Sequence, residues 1–197
     1  MRIGLIGPGG QAKPKLERAL ELLTADPAMR QVIYLGPDDA AAQVVAERAR
    51  GGLEREEFLR RGVDLACEGS SDAIVQLLAE ERTQSRMTLV RRLPEPPARA
   101  IEMLDTWIVL AVYDKAVLDE DDIANAHIIV YGRADEAVLK RFGPRCFFTP
   151  GPLAHDQVGC LELMPQGHVE VRLIGLDGSV RLREPLYAAG GKLVVTS

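Results

Sequence analysis

The chain has 197 residues, 47% apolar and 27% charged, with a formal net charge of -5 and a pI near 5.3. That length and balance suit one globular unit with a sizeable core and exclude a fibrous repeat or a disordered chain. The acidic balance argues against a nucleic-acid partner, because phosphate backbones are gripped by basic patches, and the one basic cluster, RRLPEPPAR, is broken by prolines and a glutamate and reads as solvated surface.

Residues Arg2 to Ile6 read as a buried strand. After the bend GPGGQAKP, the segment KPKLERALELLTAD carries Leu16, Ala19, Leu20 and Leu23 at helical spacing, with Pro14 in its first turn. QVIYLGP gives a second strand ending in another Gly-Pro bend. DDAAAQVVAERAR follows as a helix with two carboxylates at its favourable N-terminal end. GVDLACEGSSD reads as a third strand and a small-residue turn, before a helix that starts at Ser71 or Asp72 and carries Ile74, Val75, Leu77 and Leu78. Three successive βα units predict parallel strands with helices packed on the sheet.

The second half is strand-rich. MTLVRRL, TWIVLAVYD, HIIVYGR, RCFFTP, GCLELM, HVEVRLIGL, SVRLREPL and KLVVT read as strands, with turn signals such as PQGH and LDGS between them. Only KAVLDEDDIANA and DEAVLKRFG read as helical there. Two sheets face to face with helices outside are therefore expected, as one domain over residues 1–197. Trp107, inside DTWIVLAVY, reads as strand packing.

Cys67, Cys146 and Cys160 are odd in number and lack CxxC spacing, so reduced core thiols are expected of all three. MRIGLIG has no charged start followed by a long apolar run, and no segment reaches membrane-spanning length, so a cytoplasmic protein without membrane insertion is expected.

Gly7-Pro8-Gly9-Gly10-Gln11-Ala12 satisfies the dinucleotide pattern GxGxxG/A, and Asp38 follows the second strand where a ribose would be held. Against this, Lys13-Pro14 delays the helix, and the β-rich half supplies no second mononucleotide unit. No GxxxxGK[ST], GxSxG or HExxH occurs, and no cysteine has a plausible histidine partner. His127, His155 and His168 read as exposed or hydrogen-bonded side chains. The acidic groups around Glu54, Glu56 and Glu57 and from Asp119 to Asp122 read as solvated helical faces.

Taken together, the strand ends resemble those of the small calcineurin-like metallophosphoesterases, the bacterial and archaeal phosphodiesterase group whose fold the retromer scaffold subunit shares. The family's first strand runs into SDTHGNLPALEAVL; here GPGGQAKPKLERAL keeps Pro14, Leu16 and Glu17 in register. HLGD becomes YLGP, ending at Pro37, and GN(H/C)D becomes GSSD, from Gly69 to Asp72. An LPxPP stretch and a hairpin into VHG become LPEPPARAIEMLDTWIVLAVYD, with Val112 or Tyr113 at the histidine position. GHTH becomes Gly132-Arg133-Ala134-Asp135, and NPGS becomes Thr149-Pro150-Gly151-Pro152.

The resemblance implies a four-layer αββα sandwich of two mixed sheets flanked by helices. It also implies a two-metal site on the strand ends, where bridged divalent ions would activate a hydroxide. In this chain the positions implied for that site read Pro8, Gly10, Pro37, Ser70, Tyr113 (or Val112), Arg133 and Asp135. Proline and glycine have no side-chain donor, serine is a weak neutral ligand, and a guanidinium brings a fixed positive charge. The expectation is a fold without metal or other cofactor and without catalytic residues, acting as an interaction or scaffolding module for a protein partner, with self-association as a further option. Two alternatives stay open. One is a residual phosphodiesterase using Asp38, Asp39, Asp72, Asp114 or Asp135 for a hard cation. The other is a metal-free nucleotide or anion binder built from Gly9, Gly10, Asp38, Asp72 and Arg133, for which the competing reading pairs Arg133 with Asp135 or Asp72.

Overall fold

The computed structural model describes residues 1–9, 12–50, 55–69 and 71–187. Strand β1, Arg2–Ile6, alternates its side chains between two layers: Ile3 and Leu5 face one apolar cluster, Ile6 another. Helix α1, Lys13–Ala25, lies on the Ile6 side and buries Leu16, Ala19, Leu20 and Leu23, as its spacing predicts. It packs close because Gly4 has no side chain; a Cβ there would stand 2.9 Å from Leu23 Cδ1. Strand β2, Met29–Tyr34, runs parallel to β1, and helix α2, Ala40–Arg50, returns over the same face.

The next segment corrects the sequence reading. Residues 62–68 belong to helix α3, Arg55–Glu68, and no strand forms there. Phe58, Gly62 and Leu65, at i, i+4 and i+7, are its less exposed positions, while Leu59 and Val63 face solvent. A short apolar run cannot by itself separate period 2 from period 3.6. Gly69, with φ 75°, leads towards α4, Ser71–Ser85, which packs on α3. Asp72 therefore sits in the first turn of a helix, and Ser70 and Gly10 lie outside the described residues. Cys67 is exposed, contrary to expectation, because its helix packs mainly on α4; Cys146 and Cys160 are buried.

The third parallel strand comes later, as β3, Val90–Arg92, paired with β2 through Val32↔Val90 and Tyr34↔Arg92. It is shorter than MTLVRRL suggests, since Arg86–Leu89 forms a 3-10 turn. β4, Ala100–Leu104, and β5, Trp107–Val112, form a hairpin. KAVLDEDDIANA is not one helix. It splits into a 3-10 turn at Lys115–Val117 and α5, Glu120–Asn125, whose N-cap Asp119 exchanges hydrogen bonds with Asp122 in a capping box. Arg99 also bridges these two carboxylates, so they are not merely a solvated face.

β6, Ile128–Tyr131, and β8, Arg145–Thr149, run parallel to β5. Between them DEAVLKRFG supplies a strand rather than a helix, β7, Val138–Phe142, antiparallel to β8. Its register pairs Phe142 with Arg145, so Gly143-Pro144 is a two-residue turn. Gly143 at φ 58° followed by proline suits the II′ type, which fixes a hairpin regardless of the helical appearance of the preceding residues. β9, Gln157–Leu163, β10, Val169–Gly175, and β11, Val180–Leu186, complete an antiparallel meander. The expected strand KLVVT lies outside the described residues.

The strands form two mixed sheets, ordered β11-β10-β9-β1-β2-β3 and β4-β5-β6-β8-β7. The main core lies between them and includes Leu5, Ile33, Val109, Val130, Phe148 and Val171. A second core fills the space under α1 and α2, and a smaller one joins Leu110 and Ile129 to Ala126 of the α5 segment. The order of layers is αββα, as the sequence predicts. No helix of the described residues is long and apolar enough to cross a membrane.

Candidate functional site at the strand ends

Both sheets contain three parallel strands, β1-β2-β3 and β5-β6-β8, and their carboxyl ends meet at one pole of the sandwich. A Cβ on Gly7 would lie 1.7 Å from the Gly151 carbonyl oxygen, and one on Gly132 would lie 2.0 Å from that of Leu35. Loops of opposite sheets thus touch backbone to backbone, which only glycine permits. The Leu153 N–H donates to Pro8 O at 3.0 Å, tying the β8 and β1 loops, and the Leu35 N–H donates to Ile6 O at 2.8 Å. In this rim the structure places Pro8 after β1, Pro37 after β2, Tyr113 after β5 and Arg133 after β6. Asp135 follows, exposed.

Tyr34, at the end of β2, is fully buried and stands behind the rim. Its hydroxyl accepts from the Gly9 N–H at 3.1 Å and donates to Asp38 Oδ1 at 2.8 Å. Gly36 makes room for the ring, since a Cβ there would come within 2.4 Å of it. Burial pushes the phenol well above its ordinary pKa, and the neighbouring Asp38 adds to this, so Tyr34 stays a neutral donor. The Gly9 N–H, one donor of the bend, is therefore already engaged, and Asp38 also accepts from the Ala40 N–H at 3.1 Å.

Arg133 corrects a second expectation. It pairs with Asp114, not with Asp135 or Asp72, and its side chain is 68% exposed. The pairing is geometric: parallel β5 and β6 bring residues 114 and 133 side by side, and the Arg133 N–H donates to Tyr113 O at 2.7 Å. The Asp114 carboxyl is held below its usual range by the Ala116 N–H and by Arg133. Asp39 pairs with Arg92.

Among the described residues of this rim, the donors do not suit a pair of metal ions. Two prolines offer no side-chain atom, the Tyr113 ring packs against the inter-sheet core, Arg133 carries its own charge, and Asp38, Asp39 and Asp114 are engaged. Among the described residues no group of three or more His, Cys, Asp or Glu is arranged to hold a metal ion. Cavities of 610, 480 and 360 Å³ exist elsewhere, under α2–α4, at the opposite pole, and between β3 and β4.

The sandwich shares its fold with solved phosphoesterases and with Vps29. A conserved protein of Streptococcus pneumoniae described as a predicted phosphoesterase superposes with a TM-score of 0.57 at 11% identity, covering 95% of this chain and 97% of that one. The Escherichia coli phosphoesterase YfcE gives 0.54 at 16% identity, covering 95% and 100%. Vps29 of Entamoeba histolytica gives 0.53 at 12%, with the same coverage. No protein-family model and no curated protein matches the sequence.

Proposed function

We propose that this chain is a catalytically inactive protein of the phosphoesterase fold, a single cytoplasmic domain that works without a cofactor as an interaction module for a protein partner. The observation that supports it best is the Arg133–Asp114 ion pair, which stands on adjacent strand ends where the resemblance implies metal ligands. Vps29 and phosphoesterases stand equally close in fold, so fold alone does not choose between binding and catalysis.

Large apolar side chains left in solvent add support. Leu59 and Val63 on α3, and Val75 and Leu78 on α4, are between 43% and 66% exposed. Leu59 with Val63, and Val75 with Leu78, each share one face of their helix, and contiguous apolar surface left in solvent marks contact surfaces in soluble proteins.

Two measurements test the reading. Elemental analysis of protein purified without chelator, followed by assay of a generic phosphodiester with added manganese, is expected to show no stoichiometric metal and no turnover; metal at one or two equivalents with hydrolysis would replace this reading by a residual phosphodiesterase. Affinity capture from the native cell is expected to return a stoichiometric partner, lost on Val63→Glu while the melting temperature is kept.

A further inference from the structure

Trp107 opens β5, His127 immediately precedes β6, and Arg145 opens β8. These strands are parallel, so the three residues gather at the pole opposite Tyr113 and Arg133. With Arg141, Leu186 and Tyr187 they line a cavity of about 480 Å³, within the range of small-molecule sites.

The polar groups of this cavity are unevenly satisfied. The Ile108 N–H donates to His127 Nδ1 at 3.0 Å, which makes Nδ1 the acceptor and leaves an Nε2–H as the ring's donor in its neutral form. Arg145 spends Nη2 on the Ala124 carbonyl at 2.8 Å, while its Nε is buried without an acceptor. No carboxylate among the described residues pairs with Arg145, whereas Arg141 is paired with Glu184 at 2.7 Å. A local positive charge is therefore left uncompensated on a chain whose net charge is -5. The remaining lining is Trp107, Tyr187, Leu186, Cys146 and the Gly143-Pro144 turn. Trp107 gives its Nε1–H to Gly167 O at 3.0 Å and packs tilted against His127, with ring centroids 5.6 Å apart. Tyr187 is 63% exposed.

We propose that this cavity binds a small planar organic anion, a ring bearing a carboxylate or phosphate monoester, with Arg145 and the His127 Nε2–H on the anionic group and the ring against Tyr187 and Leu186. The site is separate from the strand-end rim and does not depend on how that rim is read.

Trp107 is the only tryptophan and serves as the reporter. Phenyl phosphate and benzoate, titrated in separate arms against the whole chain, are expected to change its fluorescence saturably with Kd at or below about 1 mM, as reached by ligands of this size. The arm that binds tighter identifies the anionic group. Inorganic phosphate and benzyl alcohol are expected to bind at least about tenfold more weakly, because each lacks one half of the recognition. Arg145→Gln should weaken the better ligand about tenfold or more, with Arg145→Lys restoring part of the loss. Tyr187→Ala, at an exposed position that does not threaten folding, should weaken it severalfold.

The proposal is overturned by the absence of saturable binding in both fluorescence and calorimetry. Equal binding of phenyl phosphate and inorganic phosphate, or of benzoate and benzyl alcohol, also overturns it. So does binding that survives Arg145→Gln but is lost with Arg133→Ala, which would place the ligand at the other pole. Should Arg145→Gln fail to fold, unchanged affinity in Arg145→Lys together with Tyr187→Ala overturns it equally.

Discussion

The two poles of the sandwich are closed by different means. At the carboxyl ends of the parallel strands, glycines let main chains of opposite sheets touch, as at Gly7 against Gly151 and Gly132 against Leu35. At the amino ends, charged side chains span the gaps. Arg2 bridges Asp26 and Glu162, Arg86 reaches the carbonyls of Thr24, Asp26 and Met29, and Arg145 reaches that of Ala124. Backbone contact joins the described loops at these two points, whereas at the other pole Arg145 lines a cavity of about 480 Å³.

Substitutions that add one methyl group test this contrast most directly. Gly7→Ala is expected to destabilise by about 3 kcal/mol, the upper end of overpacking costs, because its Cβ would meet a carbonyl oxygen at 1.7 Å. A urea transition with a lowered midpoint and unchanged slope is the readout. Tyr34→Phe removes the acceptor of the Gly9 N–H and a donor to Asp38, and should cost about 1–2 kcal/mol. At the other pole, Gly143→Ala meets no atom within 4 Å and should cost only its left-handed backbone strain, about 1 kcal/mol. Equal losses for Gly7→Ala and Gly143→Ala would remove the distinction between the poles.

Acid titration probes the amino-end pole through Asp26. Burial raises the Asp26 carboxyl, but Arg2, the Ala28 N–H and Arg86 outweigh it, and the group ends below its ordinary pKa. Its folded pKa is therefore lower than its unfolded one. The stabilisation it gives is complete above about pH 4 and is lost as pH falls through the folded value. Melting temperatures measured from pH 7 to pH 3 should fall more steeply below pH 4, and Arg2→Gln should flatten that limb. The smallest effect belongs to Arg133→Ala, whose exposed ion pair should leave the melting temperature nearly unchanged.

Elements with a strong periodic pattern were legible in the sequence. Leu16, Ala19, Leu20 and Leu23 predict α1, and the runs VIY, WIVLAV and IIVY predict β2, β5 and β6, because their apolar positions follow one face or stay buried throughout. The failures fall where the local pattern is ambiguous. GVDLACE is short enough to suit either period and becomes the last two turns of helix α3, which packs on α4. VLKRF looks helical, yet the Gly143-Pro144 turn commits it to a hairpin with β8. At the rim, the residue types at strand ends were readable, but the pairing of Arg133 with Asp114 depends on the neighbouring register of β5 and β6. The cavity of Trp107, His127 and Arg145 had no linear signal at all, since its members stand about 20 residues apart.

The sequence by itself determined the layered α/β architecture and the chemical character of the strand-end residues, because burial period and side-chain type are local properties. Tertiary structure alone decided which charges meet, which loops touch and where a cavity remains. Those outcomes depend on parallel strands bringing residues distant in the chain to the same pole, and no stretch of sequence records that arrangement.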